Sequence, residues 1–133
     1  MTVTDDLNRT ILLVNTAHNP DAKIDKSDFI RGWNWFEAPL EWKAEDGMPV
    51  NLTGIDAVIV FSRKYAEQEA LLICKSIRDC DEFNPIPLLV AITMYQMPLG
   101  NDVKRLPNAG FILFPIKEQD LLKRLNEMAR DSG

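Results

Sequence analysis

The amino-acid sequence predicts an α/β fold in which helices cover both faces of a parallel sheet. Continuous apolar runs of strand length recur along the chain, and segments with helical periodicity lie between several of them. A strand that is buried on both faces needs no alternating polar residues, so such runs are typical of parallel sheets. Parallel strands also need crossover connections, which helices normally supply.

The N-terminal part of the chain predicts two strands and a helix between them. The apolar run at residues 10–14 predicts a central strand. Residues 19–32 are predicted to be helical, because an asparagine N-cap and a proline open this segment and a glycine can close it. The aromatic-rich segment 33–38 predicts a strand near or at a sheet edge, since Pro39 interrupts it. Residues 40–54 have turn chemistry and stay unassigned.

The C-terminal part carries the clearer pattern of strands and helices. Apolar runs predict strands at residues 57–61, 87–92 and 111–114. Helical periodicity predicts a helix at residues 66–78 and a terminal amphipathic helix at residues 117–130. These elements alternate along the chain, as the crossover connections of a parallel sheet require.

Two connections and the number of units define the expected topology. Residues 79–85 predict a polar connection, and residues 94–107 are less regular, because Pro98 and Gly100 are expected to shorten or break any helix there. Five strand–helix units in a chain of this length favour a flavodoxin-like three-layer sandwich with sheet order 2-1-3-4-5. Functional residues in such a sheet gather at the carboxyl ends of the strands.

Composition narrows the domain organisation and the classes of function. The chain has 133 residues, 46% of them hydrophobic, which predicts a single domain over residues 1–133 with its core at about residues 9–130. The sequence shows no apolar run long enough to span a membrane and no signal-peptide pattern at its start, so we expect a cytoplasmic protein. A formal net charge of −5 with scattered basic residues argues against nucleic-acid binding.

The sequence predicts no metal, cofactor or catalytic centre. Cys74 and Cys80 are six residues apart and point to different faces of a predicted helix, so no disulfide or metal pair is expected. Phosphate-loop and dinucleotide motifs are absent. His18 and Ser62 follow strands, but Ser62 lacks the glycine-flanked turn of a hydrolase nucleophile. We therefore expect no enzymatic activity.

Three segments resemble the receiver domain of bacterial two-component response regulators, the CheY-like domains. Residues 89–93 resemble the receiver strand that ends in a small hydroxyl residue, and residues 109–116 resemble the strand that in receivers carries a glycine, an aromatic residue and a lysine–proline pair. Residues 55–61 resemble the strand that delivers the phospho-acceptor aspartate. The resemblance covers roughly residues 9–128, and it implies a role in signalling.

The departures from the receiver pattern fall on the phosphorylation site. Receivers hold Mg²⁺ with an acidic pair after the first strand, where this chain has Asn15 and Thr16, whose neutral side chains lack the carboxylate oxygens that the cation needs. Phe61 stands at the acceptor position and has no nucleophilic atom. Phe114 replaces the conserved lysine of the family, which predicts an apolar plug in place of an anion pocket. Asp56, about 16 Å away along the strand, cannot substitute.

The resemblance also implies where partners dock. Thr93 and Phe111 stand at the hydroxyl and aromatic switch positions of the family, and Thr93 completes the degenerate phosphorylation site formed with Asn15, Thr16, Phe61 and Phe114. Receivers dock partners through their fourth helix, fifth strand and fifth helix. The corresponding surface here contains Phe111, Lys117, Glu118, Lys123 and Arg124. The expected partner is a signalling protein: a kinase, a regulator or a second copy of this chain.

Two interpretations stay open at this level. The first is a non-catalytic pseudo-receiver that acts through protein–protein interaction without phosphorylation. The second is a small-ligand-binding or enzymatic flavodoxin-like domain that uses the strand ends around Asn15, His18, Ser62, Thr93 and Met94, and a deep pocket there would favour it. The tryptophans at positions 33, 35 and 42 fit either a core or an interface.

Overall fold

The sheet has five parallel strands in the order β2-β1-β3-β4-β5. The computed structural model describes residues 9–16, 33–38, 43–47, 54–62, 66–114 and 116–132. The strands are β1 (Thr10–Asn15), β2 (Asn34–Glu37), β3 (Ala57–Phe61), β4 (Leu88–Ile92) and β5 (Ala109–Leu113). The predicted order 2-1-3-4-5 is therefore confirmed, and the aromatic-rich strand lies at an edge as expected.

Helices pack against both faces of this sheet. They are α1 (Glu67–Asp79), α2 (Met97–Lys104) and α3 (Glu118–Ser132), with short 3₁₀ turns at Ala44–Asp46 and Met94–Gln96. The helix predicted for residues 19–32 lies outside the described residues. None of the helices that the structure describes is long and apolar enough to cross a membrane.

Each face of the sheet has its own hydrophobic core, because side chains alternate along a strand. Leu12 and Val14 of β1 point to the face that α1 and α2 cover, whereas Ile11 and Leu13 point to the face that α3 covers. α1 contributes the buried residues Ala70, Cys74 and Ile77, and α3 contributes Leu121, Leu125 and Met128. These residues form the apolar faces through which the two helices pack on the sheet.

The edge strand is anchored by a tryptophan that precedes it. Trp33 is buried in the α3-side core, and its ring stacks on that of Trp35 with 5.9 Å between centroids. The guanidinium of Arg9 lies 5.7 Å from the centroid of the Trp33 ring, at cation–π distance. Trp33 therefore belongs to the core. Trp42 lies outside the described residues.

The segment after β4 holds a short helix, as the sequence predicts, but Pro98 and Gly100 do not break it. Pro98 and Gly100 were expected to shorten or break any helix there, yet α2 runs through both for eight residues. Pro98 sits in the first turn, where a helix leaves backbone N–H groups without intrahelical partners, so the proline removes no hydrogen bond. Gly100 is buried against β4 and β5, and a Cβ there would lie 2.8 Å from Ile92 Cδ1 and 3.0 Å from the Phe111 ring. Close packing, not a helix end, explains this glycine.

We expect Gly100→Ala to lower the free energy of unfolding by about 1 kcal/mol, because overpacking at about 2 kcal/mol exceeds the roughly 1 kcal/mol that alanine gains in a helix. Gly110→Ala is the matched control, since a Cβ there meets its nearest atom at an ordinary 3.7 Å. The control should unfold at or slightly above the wild-type urea concentration. Equal stability of the two variants would contradict this explanation of Gly100.

A buried arginine joins two loops at the amino ends of β4 and β5. Arg78 lies in the last turn of α1 with 4% of its surface exposed. Its Nη2 donates to the carbonyl oxygens of Phe83 and Ile86 at 2.7 and 2.6 Å, and its Nη1 donates to those of Asn84 and Pro107 at 3.0 and 3.1 Å. The loop before β4 and the loop before β5 are thereby tied to the same helix end.

Candidate functional site

Four of the side chains that the sequence places at the phosphorylation site lie at the carboxyl edge of the sheet. Asn15 is the last residue of β1 and Phe61 the last of β3, and the two are register partners. Thr93 and Phe114 follow β4 and β5 directly. The backbone N–H of Phe114 donates to the carbonyl oxygen of Ile92 at 2.9 Å, which holds the residue after β5 beside the end of β4.

Phe61 and Phe114 meet across the strand that separates them. Their ring centroids are 5.8 Å apart at an interplanar angle of 76°, an edge-to-face contact. Two strand spacings separate β3 from β5 by about 9.6 Å, so the rings must lean toward each other over β4. Register places Ala91 of β4 between Phe61 and Ile112, with its side chain on the same face. On this face, the residue of β4 beside Phe61 therefore carries only a methyl group.

The aromatic pair sits at the boundary between core and solvent. Phe61 is partly buried and packs against the α3-side core, while Phe114 keeps 37% of its surface exposed. Edge-to-face pairs of this kind contribute about 0.5–1.5 kcal/mol beyond the burial of their area. The ends of β3 and β5 thus carry two apolar rings. Neither side chain has a carboxylate or an ammonium group.

The end of β1 carries buried but uncharged polar groups. Asn15 has 5% of its surface exposed, and Thr16 has none. The Thr16 hydroxyl oxygen has no hydrogen-bond partner among the residues that the structure describes. Within the described residues, no group of three His, Cys, Asp or Glu side chains could hold a metal ion.

Thr93 is exposed and begins the 3₁₀ turn that precedes α2. Its backbone N–H donates to Gln96 Oε1 at 3.0 Å, and its carbonyl oxygen accepts the Gln96 backbone N–H at 3.0 Å. The sequence analysis did not identify Gln96 as part of this edge. The signal was present, because a threonine followed three residues later by glutamine is the pattern of a capping box.

Asp56 lies at the opposite, amino end of the sheet. Its Oδ2 accepts the backbone N–H of Thr10 at 2.8 Å, and its own N–H donates to the carbonyl oxygen of Thr10 at 2.8 Å. The carboxylate therefore helps to pair the starts of β1 and β3. It is part of the strand pairing, far from the carboxyl edge.

The proposed docking surface combines one half-buried ring with exposed charges. Phe111 packs in the α2-side core next to Gly100, and the Arg124 guanidinium lies 5.4 Å from the centroid of its ring. Lys117, Glu118 and Lys123 are exposed. Two shallow cavities of about 360 and 320 Å³ flank the Phe111–Arg124 contact, lined by residues of β5 and α3 and by the segment that follows α2.

The serine and the cysteines considered as reactive groups do not form a catalytic cluster within the described residues. His18 lies outside the described residues, and Ser62 is hydrogen bonded by the Gln96 side chain at 3.3 Å. Cys74 and Cys80 are both free thiols. Burial raises the pKa of the Cys74 thiol to about 12, although the nearby Arg78 acts in the opposite direction, so Cys74 is protonated and unreactive at neutral pH. A cavity of about 510 Å³ lies between α1 and the turn at Ala44–Asp46, away from the carboxyl edge.

The strand order, the helices on both faces and the parallel pairing define a flavodoxin-like fold of the CheY type. Among solved structures, the chain is similar to a response regulator from Thermotoga maritima, with a TM-score of 0.51 and 21% sequence identity. The match covers 92% of this chain and 98% of that one. No protein-family model matches the sequence. No curated protein matches it either.

Proposed function

We propose that this chain is a pseudo-receiver: a cytoplasmic, non-catalytic signalling domain that binds another protein without accepting a phosphoryl group. The contact between Phe61 and Phe114 carries the proposal, because the resemblance to receivers assigns these two rings to the positions of the acceptor aspartate and the lysine. An acyl phosphate can form only on a carboxylate, and a phenyl ring offers no nucleophile.

The uncharged side chains at the end of β1 support the same proposal. Mg²⁺ takes oxygen ligands and is normally held by one or two carboxylates together with water and phosphate. Asn15 and Thr16 are buried at the place of the acidic pair, and neither can carry a negative charge. A metal that neutralises phosphoryl oxygens therefore gains no charged ligand from Asn15 or Thr16.

Treatment with acetyl phosphate and Mg²⁺ should leave the intact mass of the protein unchanged. A receiver that retains its acceptor aspartate, treated in the same mixture, should gain the mass of one phosphoryl group. A stoichiometric adduct on this chain would contradict the proposal, and peptide mapping would then show which carboxylate accepted the group.

The surface around β5 and α3 is the proposed docking site. Phe111 and Arg124 form a contact of one ring with one cation, flanked by the exposed side chains of Lys117, Glu118 and Lys123. We assign this surface by analogy with receivers, because no sequence motif marks a docking site on it.

A photo-cross-linking residue at position 123 tests this surface, and one at position 75 is the matched control. Lys123 lies on α3 and Lys75 on α1, and both lysines are exposed. We expect a specific cross-linked product, with a signalling protein or with a second copy of the chain, from position 123 only. Products of equal yield from both positions would exclude α3 as the preferred docking surface.

A further inference from the structure

A buried glutamine joins the ends of two neighbouring strands. Gln96 ends the 3₁₀ turn after β4, and only 9% of its surface is exposed. Its Nε2 lies 3.1 Å from Glu67 Oε2, 3.3 Å from Ser62 Oγ and 3.4 Å from the Ser62 carbonyl oxygen. Its Oε1 accepts the backbone N–H of Thr93. One side chain thus contacts the end of β3, the first turn of α1 and the end of β4.

The contacts use both ends of the amide group. An amide NH₂ has two donor hydrogens, so one can point at Glu67 while the other is shared between the two oxygen atoms of Ser62. The Glu67 contact is charge-assisted, which makes it stronger than a neutral hydrogen bond. A glutamine that only capped its own turn would bond to Thr93 and to no other residue. Gln96 also contacts Glu67 and Ser62, which lie 29 and 34 positions earlier in the chain.

The same turn presents two apolar side chains to solvent. Met94 has 68% of its surface exposed and Tyr95 has 95%, although both precede the buried Gln96 directly. Gln96 is the buried residue of this three-residue turn, so the turn is held mainly on the Gln96 side. The hydrogen bonds of Gln96 are therefore a principal restraint on its position.

We propose that Gln96 is a brace that holds the turn after β4 in one fixed position against the start of α1. The domain then has a permanently set carboxyl edge instead of a turn that moves between two positions. This inference rests on the proposed function for its meaning in signalling, because in a domain that accepts no phosphoryl group phosphorylation would not move the turn. A ligand shifts an equilibrium between two conformations only if it binds one of them more tightly. The hydrogen bonds of Gln96 disfavour any second position of the turn, so little of that conformation is present for a ligand to select.

Gln96→Met tests the brace in the free protein, because methionine keeps the length of the side chain and removes the amide. We expect amide hydrogen exchange at Thr93 to accelerate about tenfold, the effect of one lost hydrogen bond. Relaxation dispersion should appear at Met94 and Tyr95, while exchange in β4 stays unchanged. Gln68→Met is the matched control, since Gln68 is exposed on α1 and the chemical change is identical.

Glu67→Ala provides a second variant that leaves Gln96 in place and removes its charged partner. Relaxation dispersion should appear at Met94 and Tyr95, with a smaller increase in amide exchange at Thr93. If the methionine variant fails to fold, this variant alone tests the brace. Wild-type exchange at Thr93 and no added motion at Tyr95 in these folded variants would overturn the brace. A phosphoryl adduct would contradict the proposed function and leave these exchange results standing, so the two failures are distinguishable.

Discussion

We expect Arg78→Met to lower the free energy of unfolding by about 3–5 kcal/mol, among the largest effects of any single change in this chain. Methionine retains the aliphatic packing but leaves the buried Phe83 carbonyl oxygen and four partly buried ones without their donor. Nη1 also lies 3.3 Å from the Asn108 carbonyl oxygen, so five carbonyl groups from two loops surround one guanidinium. Urea unfolding followed by circular dichroism measures the loss.

Arg105→Met is the matched control for this experiment. Arg105 has 81% of its side chain exposed, and its Nη1 lies 3.8 Å from Asp102 Oδ1 in a surface ion pair. Exposed pairs of this kind contribute at most about 1 kcal/mol, so the control should remain close to wild type. Similar losses for the two arginines would show that the carbonyl cluster around Arg78 contributes little.

The second large effect is expected at Phe83, whose substitution with alanine should cost about 3–5 kcal/mol. Phe83 is fully buried in the α2-side core, and its carbonyl oxygen accepts from Arg78 at 2.7 Å. The substitution removes a large apolar side chain and leaves a cavity beneath the loop before β4. Thermal and urea unfolding should report the same loss.

Phe36→Ala provides the comparison for Phe83. Phe36 lies on the edge strand with 42% of its surface exposed, so less area returns to water when it is truncated. We expect a loss of about 1 kcal/mol or less. A cost at Phe36 that equals the cost at Phe83 would mean that burial in the structure does not govern these two positions.

The topology could be predicted from the sequence because its signals are local and repeated. β3 spans the same residues as the apolar run that predicts it, and α1 differs from its prediction by one residue at each end. Strands that are buried on both faces leave unbroken apolar runs, and the crossover rule then restricts the possible orders. The CheY-type fold follows from these signals.

The structural roles of Arg78 and Phe83 were not predicted, because the local sequence pattern does not indicate that either side chain is buried. A basic residue in the last turn of a helix is ordinarily interpreted as a surface partner of the helix dipole, which conceals the buried role of Arg78. Phe83 is a single aromatic residue in a polar connection and has no periodicity to mark it. Gly100 was misinterpreted for a similar reason, since its packing against Phe111 involves a later strand.

The candidate site could be located from sequence only to the level of a sheet edge. The carboxyl ends of parallel strands share one edge, which places Phe61, Thr93 and Phe114 near one another without any structural data. The contact between the two rings could not be predicted, because Phe61 and Phe114 belong to strands that β4 separates and their approach depends on side-chain conformation. The assignment of these residues to a degenerate phosphorylation site stays a prediction.

Titration with Mg²⁺ and beryllofluoride, followed by amide NMR, tests that prediction most directly. Beryllofluoride mimics a phosphoryl group on an aspartate, and binding at the carboxyl edge would shift the amide signals of Asn15, Phe61 and Thr93. The pseudo-receiver account predicts no saturable shift at these three residues up to millimolar ligand. Saturable shifts there, absent when Mg²⁺ is omitted, would contradict it and identify the domain as a working receiver.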